Sequence, residues 1–520
     1  GEASLTVRML GGSNNDPSPD HRVVVRVNAT QVGELTWDGK LPHAATFPVS
    51  TALLRDGTNL VEVQAYKPAG IPYSLVYLDY VRLTYPRRHQ ATGALGFTAD
   101  GRAVSVNGLD SGSARVLDVT EPESARLVNW ATPLAGAVAL AGTVPGHRYF
   151  AYDDTGVRRV MPLAATLAAG LASPTNAWDY LVIAAPGLEA ASETLAAHRR
   201  AGGLRSLVVP LTDIYAAFGH GVAGPEAIRA LLQYAKAYWA VAPRYVALAG
   251  DGTYDYLNQL GYNDSLLPPA LVSTPNGLFS SDTPYADLDG DGRLDMAVGR
   301  LPARSAAELQ TMVQKIIGYE AASGAWTAAA WLLADNGDSG GAFEAETDLA
   351  TDVLTSRYTV GKAYLATLGL ATTRQQTLQA LNGGLAYFNY AGHGALDRLA
   401  QEGILLSTDV AGLTNGVRAP LLVSMTCVVG RYSVPGFPCL GEELVRAGGG
   451  GAIAVISPIG LSSEALSGPL NQFLVRRLAQ GSGRLGDLWV NTSLDFRGAD
   501  YDPLAFSIFN ILGDPAVSLK

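Results

Sequence analysis

The sequence predicts a three-layer α/β fold, a mostly parallel sheet flanked by helices, preceded by an all-β sandwich region. Three observations carry that expectation. Residues 1–88 hold runs that alternate polar and apolar side chains, the period of half-buried strands. From Trp178 onward, short apolar runs alternate with helix-period segments, as in parallel sheets with crossover helices. Finally, two of the apolar runs end in turns that carry His393 and Cys427.

Composition narrows the classes. A chain of 520 residues suggests roughly two to four domains. With 48% hydrophobic and 16% charged residues it can bury a large core, which excludes a disordered chain. Net charge is −10, from 37 Lys+Arg against 47 Asp+Glu, and no basic run stands out. That excludes nucleic acid as the expected partner. No apolar run reaches the ~18 residues of a membrane span. The opening GEASLTVRML lacks the charged start and apolar core of a signal peptide. Cys427 and Cys439 are the only cysteines, too few for a disulfide framework.

In order along the chain, Arg22–Asn28, Thr58–Ala65 and Val76–Thr84 read as strands, with Asp38-Gly39 and Asp56-Gly57 as turns between them. A jelly-roll-like sandwich over residues 1–88 is expected, with a carbohydrate or protein ligand as its functional reading and a structural role as the alternative. Residues 89–176 continue in short strand-like pieces such as Ala103–Val106 and Ala114–Val119, either completing the sandwich or forming a second small β domain. The Ala/Leu-rich stretch Pro162–Pro174 leads into the domain expected over 177–520. There, Tyr180–Pro186, Leu204–Pro210 and Tyr245–Gly250 read as buried strands. Leu188–Ala201, Pro225–Tyr238, Ser305–Glu320 and Glu344–Ser356 read as helices, the second with Pro placed early, as helix starts allow.

The stretch Leu385–Gly460 concentrates the chemistry. It reads LAYFNYAGHG, then APLLVSMTCVVG, then GAIAVISPIG. His393 and Cys427 are separated by enough chain for one crossover between parallel strands. Neighbouring parallel strands would bring both to one carboxyl edge, where open α/β sheets place their sites. A histidine beside a thiol lowers the thiol's pKa and makes it a nucleophile. The N–H groups of Gly394 and Cys427 would then face a developing oxyanion. The structural alternative is a core thiol, or a bridge between Cys427 and Cys439. Cys439 sits at a predicted helix start and reads as a packing residue. His220, in a second Gly-His-Gly, follows no strand-like run. The other histidines lack metal-ligand spacing, so zinc is not expected. Asp251 and Asp255 are candidates for an acid that orients His393.

A second motif runs Asp287-Leu-Asp289-Gly-Asp291-Gly-Arg293-Leu-Asp295. Acidic oxygens at alternate positions, with glycines for the turn and the Arg293 carbonyl at position seven, suit calcium. Val298 stands where an EF-hand carries its glutamate, so this is a shorter Asp-rich loop, of the kind found in secreted bacterial proteins. Structural calcium and a secreted or cell-surface setting are expected; no organic cofactor is.

Tyr390-Ala-Gly-His393-Gly394, Thr426-Cys427-Val-Val-Gly430, Pro438-Cys439-Leu440, Glu443–Ala447, Ala334-Asp335-Asn336-Gly337 and Asn510–Pro515 together resemble the gingipain family of cysteine peptidases, in family order over about Trp178–Lys520. The resemblance implies a caspase-like fold, with Cys427 as nucleophile and His393 as general base of peptide-bond hydrolysis on a protein or peptide substrate. It also implies that Asp282, in Phe279–Tyr285, is a specificity acid for a substrate Arg or Lys, with service to the neighbouring Asp-rich loop as the alternative. The region around Ser457–Leu461 departs from the aromatic-containing pattern of the arginine-specific members. A sortase-like transpeptidase and a calcium-stabilised, non-catalytic adhesion protein are the rival readings. Arg87-Arg88 is a candidate site of autoprocessing.

Overall fold

The structure is a computed structural model that describes residues 2–158, 170–481 and 483–520. The stretch Pro162–Pro174 therefore lies outside the described residues up to position 169. The chain divides into two compact units, Gly1–Ala165 and Thr166–Lys520.

The first unit is all β. Strands Pro42–Ser50, Glu2–Gly11 and Val76–Thr84 form one antiparallel sheet in that order. Thr30–Trp37, His21–Val27 and Val61–Tyr66 form another. Alternation drives this. Val23, Val25 and Val27 are buried with Leu5, Val7, Leu35 and Trp37, while Arg22 and Arg26 from the same strand pair with Glu34 and Glu62. Residues 94–152 add a four-stranded and a three-stranded sheet around a separate cluster that includes Val106, Val116, Leu140 and Tyr149.

The second unit is built on one ten-stranded sheet. Its strands are β1 (Tyr180–Ala184), β2 (Ser206–Pro210), β3 (Tyr245–Ala249), β4 (Ala297–Leu301), β5 (Ala329–Ala334), β6 (Thr359–Tyr364), β7 (Tyr387–Ala391), β8 (Leu421–Met425), β9 (Ala454–Pro458) and β10 (Phe509–Leu512). Their order across the sheet is β2-β1-β3-β4-β10-β9-β8-β7-β5-β6. Every neighbouring pair is parallel except β9 with β10. The sheet is thus two parallel halves running in opposite directions, so their carboxyl ends lie on opposite edges. Strands β1, β3, β7, β8 and β9 are buried along their whole length, as expected of strands covered on both faces.

Helices flank the sheet, and the sequence carries their ends. Pro225 opens the helix Pro225–Tyr238. The Ser305 hydroxyl accepts the Glu308 N–H at 3.2 Å at the start of Ala306–Ala321, a cap worth about 1 kcal/mol. Helix Glu189–Ala201 packs on Ala306–Ala321. Helix Glu464–Ala479 packs on both Phe343–Leu354 and Leu485–Gly498.

Arg300 of β4 joins the halves. Fully buried, it donates to the Asp282 carboxylate at 2.8 and 2.7 Å and to the carbonyls of Gly250 and Leu267 at 2.9 and 2.8 Å. Its guanidinium also stacks on Tyr432, 4.7 Å from the ring centre, in the loop that begins at Cys427. Burial works against the Arg300 charge, and Asp282 more than offsets it, holding the guanidinium above its ordinary pKa. Arg300→Met leaves Asp282 buried without its partner. It is expected to cost about 3–5 kcal/mol, read as a lowered urea midpoint, and adding Asp282→Asn should recover part of the loss.

Candidate active site

β7 and β8 are adjacent and parallel, with Ala391 opposite Met425. His393 and Cys427 each follow two residues later, so they emerge level with one another at one carboxyl edge. The loops that carry them touch. A side chain at Gly394 would put its Cβ 2.4 Å from Thr426 Oγ1 and 3.0 Å from the Cys427 carbonyl oxygen, so only glycine allows this approach.

Cys427 is partly exposed and unbridged. Its thiol lies 3.3 Å from the Ser462 carbonyl oxygen and accepts the Ser462 N–H at 3.5 Å. The next residue, Val428, has φ of 45°, costly for a β-branched side chain. That turn is pinned at the end of β9 and just beyond it, by Gly430 N–H to Pro458 O at 3.0 Å and Val428 N–H to Gly460 O at 3.1 Å.

His393 is held at both ring and main chain. Its Nε2 lies 3.1 Å from an Asp338 carboxylate oxygen, and its ring meets Phe343 edge-on. The Gly340 N–H and His393 together hold the Asp338 carboxyl below its usual pKa. The His393 N–H donates to Asp335 at 3.0 Å, and the Tyr390 hydroxyl donates to the His393 carbonyl at 2.7 Å. Burial pushes the Asp335 carboxyl up.

Asp338 is the acid that sequence reasoning missed. The motif Ala334–Gly337 stops one residue short of it, and nothing in the sequence makes β5 the neighbour of β7. Asp251 and Asp255 do not take this role. They follow β3, on the opposite edge of the sheet. Asp251 pairs with Arg304 at 2.8 Å and Arg446 at 2.7 Å, and Asp255 accepts the N–H groups of Gln259 and Leu260, both at 2.8 Å.

The expectation for Asp282 is corrected as well. Its carboxylate is 4% exposed and bidentate on Arg300, so the protein's own arginine occupies the place a substrate cation would take. Cys439 is fully buried, its thiol pushed well above the ordinary range by burial and by Glu442.

Acidic groups do stand elsewhere beside the edge that carries His393 and Cys427. Gly340 abuts the His393 ring, and its neighbour Gly341 abuts the Glu464 carboxylate, which accepts the Ala342 N–H at 3.1 Å. Glu464 and Glu346 line a cavity of about 590 Å³ with Arg476, Leu349, Gln472, Phe473 and Tyr501. Burial, with Glu464 adding to it, pushes the Glu346 carboxyl up to about 7.

In the Asp-rich loop, Asp287, Asp289 and Asp295 each offer a carboxylate oxygen, all within 4.8 Å of one another. Burial, and the charges of Asp291 and Asp289, raise the Asp287 pKa. Lys236 is bonded to Asp295 and lies 3.8 Å from Asp289. Asp291 is committed to Arg293, through its N–H at 2.8 Å and its guanidinium at 3.0 Å.

A model of Peptidase family C25 matches residues 173–520. The chain belongs to that family. Gingipain R2 of Porphyromonas gingivalis is 26% identical over 252 residues, 47% of this chain and 31% of the relative. Gingipain R1 of the same organism is 26% identical over the same length, covering 23% of its chain. The chain thus spans about a third or less of the length of these curated relatives. Among solved structures, the Arg-specific cysteine proteinase gingipain R superposes with a TM-score of 0.56 at 21% identity, covering 69% of this chain and 80% of that one. The complex of Porphyromonas gingivalis RgpB pro- and mature domains gives 0.55 at 22%, covering 66% and 79%. The three-layer fold of this C25 member is therefore that of the gingipains.

The two thiols should separate cleanly. Iodoacetamide on the native protein is expected to alkylate Cys427 alone, with Cys439 labelled only after unfolding, as read by peptide mass spectrometry.

Proposed function

We propose that the chain is a cysteine endopeptidase that hydrolyses peptide bonds through Cys427 and His393. The observation that carries this reading is the contact of the Gly394 and Cys427 loops, with His393 tethered by Asp338 at the same edge. With Nε2 committed to Asp338, Nδ1 takes the Cys427 proton. The thiolate attacks the peptide carbonyl, and the N–H groups of Gly394 and Cys427 bind the oxyanion. His393 then protonates the leaving amine. It next takes a proton from the water that attacks the thioester, and the thiol is regenerated. Asp338 orients the imidazole and stabilises its cation.

Cleavage after Arg or Lys belongs to the same proposal. In place of Asp282, Glu464 and Glu346 supply the negative charge, because their cavity adjoins the loop that backs the His393 ring. A buried carboxylate is a strong partner for a guanidinium or ammonium group. Fluorogenic peptides that carry Arg, Lys, Ala or Asp before the scissile bond test this. Arg and Lys should be cleaved, and Cys427→Ala should cleave none. Glu346 is neutral below about pH 7 and charged above it. KM for the basic peptides is therefore expected to fall as pH rises through 7, and Glu346→Gln should flatten that dependence. Equal rates on all four peptides refute basic specificity.

Calcium bracing of the Asp287–Asp295 loop is proposed on the clustered oxygens of Asp287, Asp289 and Asp295. The ion would displace Lys236 and neutralise the like charges, tying the loop together. No helix among the described residues is long and apolar enough to cross a membrane. A secreted or cell-surface setting, where calcium is plentiful, completes the reading. Millimolar calcium should raise the melting temperature of the wild type but not of Asp287→Asn/Asp289→Asn; an equal rise in both excludes the site.

A further inference from the structure

His393 is gripped on both sides of its Cα by side chains that play no part in the proposed proton transfers. Asp335, the first residue beyond β5, is 2% exposed, and Tyr390, near the end of β7, is fully buried. One Asp335 oxygen accepts the His393 N–H at 3.0 Å. The Tyr390 hydroxyl lies 2.7 Å from the His393 carbonyl oxygen and 3.3 Å from the same Asp335 oxygen. Asp335 is itself fixed. Its N–H donates to the Ala391 carbonyl at 2.9 Å, and its other oxygen accepts the Asn336 N–H at 2.9 Å. The cluster is closed by Gly392, with φ of +157°. A Cβ there would sit 2.3 Å from the Tyr390 hydroxyl and 2.4 Å from the Asp335 Cβ.

These contacts divide the task of aiming the imidazole. Asp338 and Phe343 meet the ring, and the Ala400 N–H holds the His393 carbonyl at 2.8 Å, but these leave the His393 N–H side of the main chain unheld. With the N–H and C=O of His393 both bonded to buried side chains, the direction of the Cα–Cβ bond is set before substrate arrives. We propose that Asp335 and Tyr390 are positioning residues that clamp the His393 main chain, so that the imidazole faces Cys427 without reorganisation. The proposal rests on the peptidase reading above. The clamp stores no substrate contact of its own, so its loss acts on turnover rather than on binding. Misplacing a reacting group by about 1 Å costs on the order of 100-fold in rate.

The test uses Asp335→Ala, Asp335→Asn and Tyr390→Phe in the full chain, with kcat, KM and melting temperature measured on the best fluorogenic peptide. Asp335→Ala should lower kcat about 100-fold and Tyr390→Phe about 10-fold, each with KM within about twofold of wild type. Asp335→Asn should recover most of the loss, because its amide oxygen can accept the same His393 N–H. Folded Asn and Ala variants of equal activity, or losses confined to KM, overturn the clamp. If Asp335→Ala fails to fold, Tyr390→Phe decides, and an unchanged kcat overturns it. A wild type that cleaves no peptide overturns the peptidase reading and the clamp with it, whereas an active wild type with unaffected variants overturns the clamp alone.

Discussion

The loop that begins at Cys427 leans on one buried ion pair, through Tyr432. Arg300 and Asp282 are desolvated together, and the cost of burying both charges is recovered only because every strong bond is made at once. The guanidinium meets its carboxylate, two main-chain carbonyls and the Tyr432 ring. Those partners come from the loops after β3, from the chain before β4 and from the loop after Cys427. A sheet whose halves run in opposite directions has its weakest seam where β4, β10 and β9 meet. There β4 pairs with β10 at a single register position, Arg300 with Leu512. The ion pair sits at this seam and holds the Cys427 loop against the other half.

A second constraint is steric. Gly394, Gly392 and Gly340 each stand where a Cβ would run into a neighbour of the site. These glycines do not serve flexibility. They let three loops, from the ends of β5, β7 and β8, approach more closely than side chains permit, and Asp335 and Asp338 meet His393 in the space so gained. Val428, forced to positive φ beside the thiol, shows the backbone cost that the same crowding imposes.

Much of this was legible in the chain. Helix Pro225–Tyr238 and strand Val76–Thr84 lie where they were read, because Pro placement and a run of strand-forming residues are local signals. The strands ahead of His393 and Cys427 were readable as apolar runs, and their parallel pairing follows from the length of the crossover. The partner of His393 was not readable. Asp338 and Asp251 are both acids just beyond apolar strands, and only the order β8-β7-β5, with the reversal at β9–β10, puts one beside the imidazole and the other on the far edge. Asp282 misled for a related reason. A carboxylate at a position the resemblance marks reads as a substrate contact until the arginine that neutralises it, 18 residues away, is seen to be buried with it.

The sequence by itself determined the β-to-α/β change of rhythm, the reactive pair and the acidic loop, since these rest on local period and residue chemistry. Tertiary structure alone decided what each carboxylate meets. Asp282 is satisfied by the buried Arg300, Asp251 by Arg304 and Arg446, Asp291 by its own neighbour, and Asp338 by His393, while Glu346 and Glu464 line a cavity. The physical reason is that a charge's role depends on what it meets after desolvation. Such partners are set by strand order and loop contact, which no local pattern encodes.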